Sequence, residues 1–248
     1  IQEIKDDFML REDLNEILKN VYDIERICGK IAFEKVTPKE MIHLKNSIEK
    51  LPILKDTINS SSASMLKEYI KDLDDLNDLY NLINQSILEE PSITLKDGNI
   101  IKSDFNEELK ELRDISKNGA YMIKEIENEE RENTGVKSLK IGFNKVFGYF
   151  IEITKANLNT ANIDDGYIRK QTLSNAERFI TSELKEMEEK ILGSEEKLMK
   201  LEYELFIDVR NKVEAEISRL KKSARIIGNL DSLSTLAFIA LENDYVKP

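Results

Sequence analysis

Apolar residues recur at spacings of three and four along most of the chain. Leu14, Ile17, Leu18, Val21, Ile24 and Ile27 form one such stripe, on a single helical face. Thr37-Pro38-Lys39-Glu40 reads as a helix start: a Thr cap, a Pro where a missing N–H costs nothing, and a Glu placed to complete a capping box. That helix is expected to run to about Lys50, ahead of Pro52. Ser60-Ser61-Ser62 interrupts the pattern, and Met65, Tyr69, Leu73, Leu76, Leu79, Tyr80 and Ile83 resume it as far as Glu90-Pro91. Next come Ile93, Leu95, Asp97-Gly98, Ile100 and Ile101, which read as two short strands around a tight turn, since Asp-Gly supplies positive φ. From Asp104 the stripe returns through Phe105, Leu109, Leu112, Ile115, Tyr121, Met122 and Ile126 to about Asn133, closed by Thr134-Gly135.

The stretch 137–185 differs in kind. Leu139 to Phe143 and Tyr149 to Thr154 are rich in β-branched and aromatic residues and partly alternate, which predicts strands. Ser182 is then a plausible cap with Glu183 in the first turn. Leu184, Ile191, Leu198 and Leu205 repeat every seven residues, and Val209, Val213, Ile217, Leu220, Ala224 and Ile227 continue the face. With no Pro between, this predicts a helix on the order of 65 Å long. A reset at Gly228-Asn229 precedes one more short helix carrying Leu233, Leu236, Ala237, Ile239 and Ala240. The fold class expected is mainly α: a long antiparallel helical bundle in which two stripes bury one another, with a small antiparallel β subdomain inserted. The boundaries expected are 1–130 for the first helices, 131–185 for the β insertion, and 186–248 for the return helix and its closing helix.

Composition sharpens this picture. The 9 Gly and 4 Pro in 248 residues suit long helices, and 40% hydrophobic content suits a packed core despite 34% charged residues. No run of about 18 apolar residues suggests a membrane span, and the first residues lack the layout of a signal peptide. The net charge of −11 argues on its face against a nucleic-acid partner. It is unevenly spread, however. Residues 137–185 carry eight basic side chains against five acidic ones, a balance of +3, which leaves −14 for the remainder. The same stretch holds Phe143, Phe147, Tyr149, Phe150, Tyr167 and Phe179.

Catalytic chemistry is hard to find. Nothing matches a phosphate-binding loop, and Gly29-Lys30 lacks the upstream Gly. His43 is the only histidine, with no second ligand pattern for a zinc site; a Ser-His-Asp triad would rest on it alone, and no G-x-S-x-G elbow accompanies it, so it reads as a structural or surface residue. Cys28, beside Ile27 and Ile31, reads as a small buried hydrophobe; alone it forms no internal disulfide, in keeping with a reducing compartment. Glu188-Glu189 and Glu195-Glu196 read as solvated helix faces. No enzyme is expected from these residues. Binding remains: 167–179 mixes cations with small hydrogen-bonding side chains, the inventory that meets phosphate oxygens, and Asn144-Lys145 between Phe143 and Phe147 offers the same groups. Aromatics in strands are more often core than base-stacking platforms, and an ordinary amphipathic surface also shows a few cations.

The strings KSLKIGFNKVFGYFIEITK (137–155) and YIRKQTLSNAERF (167–179) closely resemble the bacterial MutS family of DNA mismatch-repair proteins. YDIERI (22–27), ELKE (183–186) and NDYVKP (243–248) match as well, so the resemblance covers essentially the whole chain. It implies the core or lever helices of that family, interrupted by its clamp, a small antiparallel sheet that holds the DNA backbone without reading sequence. The family's mismatch wedge belongs upstream of Ile1 and its ATPase downstream of Pro248, so the chain is expected to be a fragment, as its start without Met suggests. By position, Asn144, Lys145, Arg169, Lys170, Ser174, Asn175 and Arg178 fall on or next to the family's clamp contacts. Ser174 stands where some members carry Lys, and Ser182 where a Pro often opens the helix. Tyr149 and Phe150 alternate along a strand, so one is expected in the core.

The partners so implied are double-stranded DNA, a second copy of the parent protein and other mismatch-repair proteins, in the bacterial cytoplasm and with no membrane. ATP and Mg²⁺ belong to the parent's ATPase, with no cofactor in this chain. The rival from another class is a coiled-coil scaffold whose β tip binds a protein.

Overall fold

The protein is described by a computed structural model covering residues 1–62 and 64–246. Lys247 and Pro248, which end the last matched string, lie outside the described residues. Two compact units emerge: Ile1–Phe105 with Glu202–Pro248, and Asn106–Leu201.

The first unit is helical. It holds α1 (Gln2–Asp6), α2 (Phe8–Lys19), α3 (Ile24–Ala32), α4 (Pro38–Ile48), α5 (Leu51–Asn59), α6 (Ser64–Asp72) and α7 (Asn77–Ser86). The capping box at α4 forms: Thr37 Oγ1 accepts the Glu40 N–H at 3.3 Å, and a Glu40 carboxylate oxygen accepts the Thr37 N–H at 3.1 Å. Two apolar stripes that looked continuous are broken. The 14–27 stripe is split between α2 and α3, where the Asp23 carboxylate accepts the Arg26 N–H at 2.8 Å and starts a new helix. The 65–83 stripe is split at Leu76, held at φ 51 with its N–H on Asp74. Periodicity alone missed both because the residues on either side stay in phase. α4 ends at Ile48, ahead of Pro52 as expected, Pro52 sits in the first turn of α5, and α7 ends at Ser86, short of Glu90-Pro91.

The two strands expected around Asp97-Gly98 are absent. Leu95–Asp97 is one 3-10 turn with Gly98 at φ 65, and Ile101 pairs instead with Ile87 in a single antiparallel bridge. Burial explains the choice. Ile87, Ile100 and Ile101 are fully buried while Ile93 is 80% exposed, so only one side of the supposed hairpin has a core to face.

The long return helix is also divided. α10 (Ser182–Ala215) and α11 (Ile217–Glu242) are separated at Glu216, with φ −100 and ψ 15, and α11 runs straight through Gly228-Asn229 where a reset was expected. A mid-helix Gly costs roughly 1 kcal/mol. Burial of Leu220, Ile226, Ile227, Leu230 and Ala237 on the face packed against α1, α2 and α3 outweighs it. Arg219 gathers Asp74, Asp78 and Glu216 around the break, at 2.7, 2.8 and 3.3 Å. Among the described helices α11 alone is long and apolar enough to cross a membrane, with a mean hydropathy of 1.3 over its most apolar window. It carries Arg219, Lys221, Lys222 and Arg225 in its first half and packs one face against α1, α2 and α3, while Leu236, Phe238 and Ile239 are exposed.

The second unit contains the sheet. α8 (Glu107–Thr134) begins at Asn106, whose side chain accepts the Leu109 N–H, and ends at Gly135 in the left-handed conformation. α10 is capped by Thr181, whose hydroxyl accepts the Leu184 N–H at 3.3 Å, not by Ser182. The two helices run past one another in opposite directions: Ile191 lies over Gly119, and Ile126 and Leu184 share one cluster. An added Cβ at Gly119 would come within 3.0 Å of Ile191, so the glycine permits the close approach.

Between them lie β1 (Lys140–Asn144), β2 (Gly148–Thr154), the short helix α9 (Lys155–Leu158), β3 (Ile168–Thr172) and β4 (Ala176–Ile180). The sheet is antiparallel in the order β1-β2-β4-β3. One face carries Ile151, Ile153 and Phe179 into a core with Ile126, Val136, Leu139 and Leu184. The exposed edge of β1 is covered from α8, where Glu127 accepts the Ile141 N–H and Arg131 donates to the Leu139 carbonyl, both at 2.8 Å.

Glu130 of α8 is buried and accepts the Tyr167 hydroxyl. Burial holds the Glu130 carboxyl above its ordinary value of 4.5, and the Tyr167 bond opposes this only in part. A carboxyl raised on folding contributes stability that is complete below its unfolded value and is lost as pH rises through the folded one. Glu130→Gln stays neutral, so its melting temperature should gain on the parent's as pH rises from the ordinary carboxyl range towards neutrality. A thermal-unfolding series measures this; a constant difference across that range contradicts it.

Candidate nucleic-acid interface

Both strands read from the pattern are present, and the second hairpin, β3-β4, carries Arg169, Lys170 and Arg178. The register decides which expected contact residues meet. Asn144 pairs with Gly148 in the β1-β2 turn, while Ser174 and Asn175 form the β3-β4 turn beside Thr154, which pairs with Ala176. The two turns therefore sit at opposite ends of the sheet, about 20 Å apart at the usual strand rise. At the first end, the Asn144 side chain accepts the Val146 N–H at 2.8 Å, which leaves Lys145 and Val146 at the tip, Val146 88% exposed. At the other, the Leu173 N–H donates to the Ala176 carbonyl at 2.8 Å and the Lys155 N–H to the Asn175 carbonyl at 2.9 Å. Lys155 thus joins Ser174 and Asn175. Sequence reasoning left it out of the site because twenty positions separate it from them and only the register brings it there.

Arg169 and Lys170 lie on β3, the edge strand. The pairing skips a position between Arg169 and Gln171, so Lys170 is the extra residue of a bulge, a feature that re-aims side chains. Arg169 keeps 59% of its side chain exposed while its Nε sits 2.6 Å from Glu177 and its guanidinium lies 5.8 Å over the Phe179 ring. Phe179 is in turn edge-on to Tyr167, with ring centres 6.3 Å apart.

Arg178 is placed differently. Its Nε donates to Glu152 at 2.8 Å, a second nitrogen donates to Gln171 at 2.9 Å, and the group lies 4.2 Å over the Phe150 ring, with 21% of the side chain exposed. Phe150 covers Gly142, where an added Cβ would come within 2.6 Å of the ring, and meets Phe147 at 5.6 Å. Tyr149 and Phe150 are thus both packed, on opposite faces: Tyr149 joins the core and Phe150 the outer face. One of the two thus faces the core, as expected, and the other is also covered, because Arg178 lies over Phe150 on the outer face. Burial, and then Glu195 and Glu188 of α10, raise the Tyr149 hydroxyl above its ordinary range, which marks the acidic flank of the β1-β2 end.

Elsewhere the titratable groups are structural. His43 stacks on Tyr22 at 4.0 Å, with burial lowering its pKa, and the buried Cys28 thiol is pushed up to about 11 by desolvation. Among the described residues no group of three or more His, Cys, Asp or Glu side chains converges to hold a metal ion.

Residues 104–197 match the model of MutS family domain IV, and those limits fall within a few residues of the compact unit Asn106–Leu201. The whole chain is 70% identical over 248 residues to the DNA mismatch repair protein MutS of Clostridioides difficile (strain 630), covering 26% of that protein. It is 55% identical over 249 residues to the MutS of Clostridium botulinum (strain Eklund 17B / Type B), again over 26% of it, and 53% identical to that of Clostridium tetani, over 28%. The chain spans about a quarter of the length of these curated relatives. With a mainly helical fold, a four-stranded antiparallel sheet and this identity along its full length, the chain belongs to the bacterial MutS family of DNA mismatch-repair proteins.

Proposed function

We propose that the sheet grips the backbone of duplex DNA without reading its sequence, through Asn144 and Lys145 at one end, Ser174, Asn175 and Lys155 at the other, and Arg169 and Lys170 along the free edge. The observation that carries this reading is the exposure of Lys145, Lys155, Arg169, Lys170, Ser174 and Asn175, with Asn144 half-buried in its turn, on a sheet whose Ile151, Ile153 and Phe179 are turned inward, in the unit that matches domain IV. Phosphate contacts fix position but carry no sequence information, as a protein that slides along a duplex requires. Arg178 is assigned to bracing: with two nitrogens committed and a ring beneath it, it holds the outer face together. Replacing it with Ala leaves Glu152 and Gln171 without their partner, so Arg178→Ala should cost about 2 kcal/mol of stability. The salt dependence of DNA binding should stay as in the parent. Denaturant unfolding and a binding titration separate the two effects.

In the longer protein, the helices of this chain would link the grip to an ATPase. ATP and Mg²⁺ are assigned to that ATPase: the sequence here has no match to a glycine-rich phosphate loop, and among the described residues no three His, Cys, Asp or Glu side chains converge. Two subunits would enclose the duplex in the cytoplasm, where other mismatch-repair proteins would meet them. The experiment is a duplex titration, at several salt concentrations, of the chain and of its Lys145→Ala/Arg169→Ala/Lys170→Ala variant. Weak, salt-sensitive binding that the variant loses supports the reading. Equal and salt-insensitive affinities would instead favour a scaffold whose β tip binds a protein.

A further inference from the structure

The β1-β2 turn is fastened to α10 by one carboxylate. β2 pairs with β4 only from Ile151 to Thr154, because β4 ends at Ile180 and the chain turns into α10. Past that point the Tyr149 N–H is taken by Glu188 Oε2 of α10, at 2.8 Å. The same carboxylate fills the space a side chain at position 148 would need: an added Cβ there would lie 2.1 to 2.4 Å from its atoms, and Gly148 also holds φ at +81. The positive φ favours glycine there, and any side chain would have to displace the Glu188 carboxylate from the Tyr149 N–H. Asn144 pairs directly with Gly148, so whatever fixes Gly148 and Tyr149 fixes Asn144 and Lys145 opposite.

The charge of Glu188 makes its presence informative. A half-buried carboxylate behind a turn that meets phosphate repels the ligand, so electrostatics alone gives it no reason to be there. An unpaired backbone N–H at the strand end does. We propose that Glu188 is a positioning residue for the Asn144-Lys145 turn, setting through the Tyr149 N–H where that turn meets the DNA backbone. The proposal rests on the DNA-grip reading. It goes beyond it by assigning a role to a residue that does not itself touch DNA.

Position and charge separate cleanly by substitution. Glu188→Gln keeps an acceptor oxygen and removes the charge; Glu188→Ala removes both. If the carboxylate acted only by repelling phosphate, both variants would bind duplex DNA more tightly than the parent. If it positions the turn, Glu188→Gln binds as well as the parent or better, whereas Glu188→Ala loses on the order of tenfold, similar to Asn144→Ala/Lys145→Ala. Adding Glu188→Ala to that pair then produces little further loss, since the contacts it positions are already gone. Hydrogen exchange at the Tyr149 amide, faster in the Ala variant and near parental in the Gln variant, reports the structural half without DNA. Parental or tighter binding by Glu188→Ala, or losses that add in the triple variant, overturns the proposal while the grip stands. Parental binding by Asn144→Ala/Lys145→Ala overturns the grip at this end of the sheet, and the proposal with it.

Discussion

Phe179→Ala is expected to destabilise the β-bearing unit by about 3 to 5 kcal/mol, the usual cost of removing a buried aromatic from a packed core. Phe179 is only 3% exposed and lies in the cluster of Ile151, Ile153 and Leu184, edge-on to Tyr167. It pairs with Ile151 on one side and Arg169 on the other, so its loss opens a cavity at the centre of the sheet. The Arg169 guanidinium also loses the ring it lies over, which couples the core to the grip. Denaturant unfolding followed by a probe in the 106–201 unit measures the effect. A loss below ~1 kcal/mol contradicts the core described.

The second large effect concerns binding. Lys145→Ala/Arg169→Ala/Lys170→Ala removes three exposed cations from the turn and free edge. At about 1 kcal/mol for each exposed charge-assisted contact, the loss is about 3 kcal/mol, or on the order of 100-fold in affinity at low salt. The fold should survive, because Lys145 and Lys170 project from a turn and a bulge, and Arg169 contributes one surface ion pair to Glu177. A melting temperature close to the parent's, with binding lost, separates contact from scaffolding. Retained affinity at low salt contradicts the assignment of these residues.

Several features of the fold were legible in the chain. The Thr37-Glu40 capping box, the start of α8 near Asp104, its stop at Gly135 and the strands containing Ile141 and Ile151 all rest on local chemistry, and each forms. What failed depended on distant partners. The break at Leu76 and the passage of α11 through Gly228 are set by what packs around them, and Ile101 found Ile87 rather than Ile93 because only the former is buried. The site divides in the same way. Its residue types were visible in 137–155 and 167–179, but register alone sends Asn144 and Asn175 to opposite ends and brings Lys155 to Asn175. Glu188 read as one of many solvated acids on a helix face. Nothing nearby in sequence marks it as the acceptor for a strand forty positions upstream. Averaging hid the electrostatics too, since a total of −11 conceals a +3 segment.

The central claim is that the sheet holds DNA by its backbone, and the most direct measurement is the dependence of duplex affinity on salt for two unrelated sequences. The account predicts equal affinities for both duplexes and a straight log–log decline. Its slope should become shallower by about one unit for each of Lys145, Arg169 and Lys170 replaced. An affinity that ignores salt, or that differs between the two sequences by more than about tenfold, would contradict it.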